Sequence, residues 1–252
     1  MISSHLREEI RLKEEKIGKK PEFYDQRNNL VRENLRTIGD TYSFWIENPE
    51  LRKAILLENK QIKTIKKQAE KGIQAIHNAW YFLAHKGEYG RFIEILDSEI
   101  VKGTNGLVNG GDKDSGKFRT SEVTLNIPGF TPISHKHIFG EVKLILEVVK
   151  LKRTTDPIEA AIYTHLALAL TQPFEAGNKR TARLLQDRLL YDAGFPPAVI
   201  TAGEAKFYLG LLGKTALAYR EKSEEGMKQF FDYVASKVNN GLDDILNDLN
   251  GT

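Results

Sequence analysis

Residues 156–192 read as two helices with one short interruption, and any fold for this chain has to accommodate that unit. Asp156 is a helix cap, Pro157 suits the first helical position and Glu159 the first turn. Ile158, Ala161, Ile162, His165, Leu166 and Ala169 form a stripe at helical spacing, which marks a deeply buried helix. His165 within it reads as a hydrogen-bonded core histidine. Pro173 stops this helix after Thr171, Gly177 frees the backbone, and Asn178 can cap a second helix running to Asp192. A short polar loop is therefore expected between two buried helices.

The same periodicity predicts helices at 49–58, 61–85, 134–151, 202–219 and 223–238, the first opened by Asn48 and Pro49. The residues before them read as charged amphipathic helices broken between Gly18 and Pro21. Turn residues crowd Gly103 to Gly116, and the β-branched segment KFRTSEVTLNI after them predicts a short β-hairpin lying on a helical body. The expected fold is all-α with that single β flap. It comprises a helical extension over 1–47, one domain over 48–240 and a tail over 241–252.

Composition narrows the function classes. The 252-residue chain is 40% hydrophobic, and its 37 basic against 34 acidic residues leave a net charge of only +3, so no global field singles out nucleic acid or an anionic membrane. Phosphate recognition has to be local. With no cysteine, disulfides, thiolate nucleophiles and cysteine-ligated zinc are excluded. The opening MISSHLREEIRLKEEK has no apolar run after its charges, and no stretch approaches the roughly 18 apolar residues of a membrane span. A cytoplasmic protein is the expectation, although an export signal in a flexible terminus would escape this test. A homo-oligomer is compatible with the sequence.

The chemistry concentrates in TQPFEAGNKRTAR. Successive backbone N–H groups at a glycine loop and a helix N-terminus favour phosphate oxygens. Lys179, Arg180 and Arg183 add charge there, and the two arginines, three apart, can project from one helix face. Glu175 is the nearby carboxylate, and Mg²⁺ binds through one or two carboxylates together with phosphates. Neither GxxxxGK[ST] nor GxGxxG occurs. The same residues also fit ordinary helix caps beside a solvated basic face.

QPFEAGNKRTAR resembles the Fic motif, HPF[DE]xGN[GK]RxxR, at all but its first position, and the resemblance extends from about Asn48 to Val238. FRTSEV with Pro128 and Pro132 is similar to the family's flap, and LLQDRLLYDAGFPPAVI to its motif helix and closing turn. The resemblance implies an enzyme that transfers AMP from Mg-ATP to a hydroxyl of a target protein. Glu175 would hold Mg²⁺, and Ala176, Gly177, Asn178 and Lys179 would line the phosphate hole. Arg180 and Arg183 would contact the β- and γ-phosphates. Phe118, Arg119, Thr120 and Val123 would belong to the flap that docks the target by strand addition.

Three departures matter. Gln172 stands where the family has its histidine base, and an amide cannot accept the hydroxyl proton, so weak transfer or a nucleotide-holding pseudoenzyme is expected. Lys179 stands where adenylylating members usually have glycine and resembles the Doc branch of protein kinases, which remains the runner-up. AILLENKQIKT is similar to the inhibitory helix [ST]xxxE[GN], with Ala54 for the usual Ser or Thr. Glu58, within a helix over 49–59, is accordingly expected to face Arg183. A non-catalytic binding module and a helical interaction protein are the readings from other classes.

Overall fold

The computed structural model describes residues 1–18, 24–56, 62–86, 92–111 and 114–251. Its helices are α1 (Ser4–Gly18), α2 (Tyr24–Glu47), α3 (Pro49–Leu56), α4 (Ile62–Lys86), α5 (Phe92–Ile95), α6 (Ser98–Val108), α7 (Ile138–Arg153), α8 (Pro157–Thr171), α9 (Asn178–Asp192), α10 (Ala205–Arg220) and α11 (Glu224–Asn250). α8 is the centre. It is capped by Asp156, whose carboxylate accepts from the Glu159 amide at 2.8 Å, and almost all of its residues are buried. Such an all-round apolar helix has to be enclosed, and α7, α9, α10 and α11 enclose it.

The residues before 48 are part of this body. α1 lies on α11, and α2 packs against α4, α9 and α11. Ile10, Ile17, Phe44 and Ile46 are buried in the common core. The boundary expected at 240 falls inside α11, which continues through the segment read as a tail. Val238, Leu242 and Ile245 are buried, and at Gly241 an added Cβ would come within 2.9 Å of Pro196.

Two local expectations are corrected. The glycine-rich stretch from 103 is helical as far as Val108, because Asp97 caps α6 and Ile100, Val101, Thr104 and Val108 face the core. Burial of that face outweighs the helix-breaking cost of the glycines. The β-hairpin is not formed: among the described residues there is no strand, and 117–134 runs as turns and irregular backbone. A ladder needs a partner strand, and Pro128 and Pro132 carry no N–H to pair. The segment is fastened instead by single bonds, including Arg119 N–H to the Pro173 carbonyl at 2.9 Å.

Candidate nucleotide-binding site

α8 ends in a left-handed residue, Gln172 (φ 51, ψ 58), a conformation that side chains rarely adopt. The chain then crosses Pro173–Ala176 and enters α9 through Gly177 (φ 76), where a Cβ would lie 2.7 Å from the Asn109 amide. Gly177 is the N-cap of α9 and Asn178 its first residue, so Asn178 does not cap the helix as expected. Its side chain holds the loop instead, accepting from the Phe174 amide at 2.8 Å and donating to the Phe174 carbonyl at 2.7 Å and to Gln172 Oε1 at 3.0 Å. Among the described residues no side chain caps α9. The N-terminus of a 15-residue helix is thus left with its donors free of a side-chain cap, the arrangement that attracts anions.

The residues picked from the sequence converge here, and the structure gives each its protein partners. Arg180 is turned to the end of α6, bonding the Val108 carbonyl at 3.2 Å and Asn109 Oδ1 at 3.1 Å. Arg183 is 5% exposed and reaches α2, with Nε 3.0 Å from Ser43 Oγ and Nη2 3.1 Å from the Ser43 carbonyl. The two arginines therefore turn to different helices. Glu175 is exposed and accepts from the Ser121 hydroxyl at 3.0 Å. Phe118 packs on Phe174 with ring centroids 5.5 Å apart. Arg119 is buried, bonded to the Gln172 carbonyl at 2.7 Å, to the Ser121 carbonyl at 2.6 Å and to the Ile133 carbonyl, so it staples the flap segment and leaves little for a target. Thr120 is exposed and Val123 half-buried.

Glu58 lies outside the described residues. Among the described residues, the acidic partner of Arg183 is Glu47, at the end of α2. Its carboxylate is 3.2 Å from Arg183 Nη2 and 3.1 Å from Lys179 Nζ. Burial raises the Glu47 pKa, but the two cations outweigh it and leave the carboxyl below its usual range. The signal was in the sequence: Ser43-Phe44-Trp45-Ile46-Glu47-Asn48 fits [ST]xxxE[GN] at every position, including the serine that the 54–59 match lacks.

Behind Arg183 the polar chain continues. Arg183 Nη1 donates to Tyr208 Oη at 3.2 Å, which stands 2.8 Å from His165 Nε2, and His165 Nδ1 is 2.7 Å from Gln186 Oε1. Burial, with Arg183 nearby, pushes the His165 pKa down to about 3. His165 is thus a neutral core histidine, as its place on the stripe implied. Asp187 on α9 and Asp40 on α2 line one small cavity with Arg183, and burial pushes both carboxyls up to about 7, with Asp187 also raising Asp40.

The sequence profile of the Fic/DOC family matches residues 57–190, more than half of the chain. The chain belongs to the Fic/DOC family. It is 35% identical over 108 residues to protein adenylyltransferase fic-1 of Caenorhabditis elegans, covering 42% of this chain and 21% of that protein. It is 32% identical over 136 residues to protein adenylyltransferase Fic of Drosophila persimilis, covering 52% and 24%. The chain thus spans about a quarter or less of the length of these curated relatives. A Fic-domain-containing signaling protein from Bacteroides thetaiotaomicron shares the fold at TM-score 0.77 and 16% identity, with 96% of this chain and 98% of that one covered. The matched span of the Fic/DOC profile includes the loop, the flap segment and most of α9, and stops short of Glu47.

Proposed function

We propose that this chain is a Fic-type protein adenylyltransferase scaffold, held shut by Glu47 and weakened at position 172. The observation that carries the reading is Glu47 itself: a carboxylate already bound to Lys179 and Arg183, beside a helix N-terminus that no side chain caps. A triphosphate would replace one anion by another on the same cations, so nucleotide and Glu47 compete. Glu175 suits Mg²⁺, because it is an exposed hard-oxygen ligand beside the phosphate hole. No cluster of three or more His, Cys, Asp or Glu able to hold a metal exists among the described residues, so the remaining ligands would be phosphates and water. When bound, the cation would neutralise phosphate charge.

In the transfer step a hydroxyl of the target, docked near Thr120 and Val123, attacks the α-phosphorus. A phosphodiester forms, the bond to the β-phosphate breaks, and pyrophosphate leaves with its charge met by Arg180, Arg183 and Lys179. The hydroxyl proton needs a base at position 172, and Gln172 offers none. Its Oε1 already accepts from Asn178, and its amide nitrogen donates to the Ala169 carbonyl. That bonding favours, as a second reading, a module that holds nucleotide without transferring it. The test is Gln172→His with Glu47→Gly, offered target lysate and ATP labelled at either the α- or the γ-phosphate. Label from the α position supports adenylylation, label only from γ supports the Doc-like kinase, and no label from either with intact ATP binding supports the second reading.

A further inference from the structure

The loop leans on two asparagines one helical turn apart, Asn105 in α6 and Asn109 at its C-terminal cap. Asn105 is 1% exposed; its Nδ2 donates to the Ala176 carbonyl at 2.9 Å and to Thr181 Oγ1 at 3.1 Å, and its Oδ1 accepts from the Gly116 amide at 3.1 Å. Asn109 Nδ2 donates to the same Ala176 carbonyl at 3.2 Å, and its Oδ1 accepts from Arg180 Nη2 at 3.1 Å. One carbonyl thus receives two amide donors, and the same pair ties in Arg180 and the turn that begins the flap segment.

The consequence follows from peptide geometry. In a planar trans peptide the C=O and the next N–H point in opposite directions. Drawing the Ala176 carbonyl onto α6 therefore aims the Gly177 N–H away from α6, and the absent Cβ of Gly177 lets the asparagines approach that closely. We infer that Asn105 and Asn109 are positioning residues of the nucleotide loop, which set the Gly177 N–H toward the phosphates and hold Arg180 beside them. The inference rests on the nucleotide reading above.

The experiment uses the full chain carrying Glu47→Gly, so that the site is open. Mg-ATP binding is followed by calorimetry, and adenosine binding by saturation-transfer NMR. Asn109→Ala, at a half-buried position, should weaken Mg-ATP by about tenfold, the effect expected from losing two hydrogen bonds, and leave adenosine unchanged. Asn105→Ala should weaken Mg-ATP at least as much, and its thermal midpoint monitors folding. Unchanged Mg-ATP affinity in Asn109→Ala overturns the inference while leaving the function standing. An equal loss for adenosine also overturns it, since the asparagines would then support the fold in general. Failure of Glu47→Gly itself to bind Mg-ATP overturns both the function and this inference.

Discussion

α6 and α2 both grip the start of α9, and they use different forces. α6 holds it with neutral amides: Asn105 and Asn109 on the Ala176 carbonyl, with Arg180 joined to the end of α6. α2 holds it with charge, through Glu47 on Lys179 and Arg183. Neutral hydrogen bonds fix a shape whether or not an anion is present. An ion pair competes with any other anion and responds to its surroundings, so under the proposed function the first contact would set geometry and the second access.

The largest expected effect breaks the symmetry between access and chemistry. In the Glu47→Gly form, Gln172→His should raise transfer by about 10² to 10⁴, the usual range for a general base. Equal labelling without the histidine would place the base elsewhere. Next, Arg183→Ala in the same open form should cost about 1.5 to 3 kcal/mol of Mg-ATP binding, as for a hydrogen bond to a charged group. An unchanged dissociation constant contradicts the placement of Arg183 on phosphate.

The α2 contact should also respond to pH, because Asp40 and Asp187 face one cavity and both titrate near 7. Arg36, Glu33, His77 and Arg183 are the other charged or titratable groups around the pair. Below about pH 4 folded and unfolded chains both hold these protons, and the contribution is complete. Between there and about 7 the unfolded chain has released protons that the folded one keeps, so stability falls as pH rises. Asp187→Asn should therefore raise the thermal midpoint at pH 8 by about 4 to 8 °C, for a change on the order of 2 kcal/mol. The gain should fade toward pH 4. A constant difference across that window would show that Asp187 ionises normally.

Smaller still is the effect of Lys179, whose size should depend on Glu47. With Glu47 present, Lys179→Gly removes half of the clamp together with a phosphate contact, so its cost in Mg-ATP binding should be about 0.5 to 1 kcal/mol smaller than in the Glu47→Gly form, where only the phosphate contact is lost. An equal cost in both backgrounds would mean that Lys179 does not take part in the closure.

The α8–loop–α9 unit was legible because its signals are local. Asp156 and Pro157 start α8, Pro173 ends it, Gly177 opens α9, and both helices are buried along most of their length. The flap was misread for a complementary reason. KFRTSEVTLNI has strand-like residues, but a strand exists only if another pairs with it, and no partner for it is formed among the described residues. α6 was missed because its glycines outweighed Asp97 and its apolar spacing when judged by propensity alone.

Sequence by itself determined the helical class, the loop and the cations beside it, since each follows from residue type and near-neighbour spacing; the roles expected of Glu175 and Gln172 came only from the resemblance to the Fic motif. Tertiary structure decided which groups those cations meet. Arg180 and Arg183 stand three apart in sequence yet turn to α6 and α2, and the acid that meets Arg183 comes from 136 residues earlier in the chain. Two segments, 43–48 and 54–59, fit the inhibitory pattern to different degrees, and only the packing of α2 against α9 places Glu47 on Arg183 and Lys179. A short motif fixes the spacing of a carboxylate along its own helix; which cation it meets depends on how helices distant in sequence bury their apolar faces together.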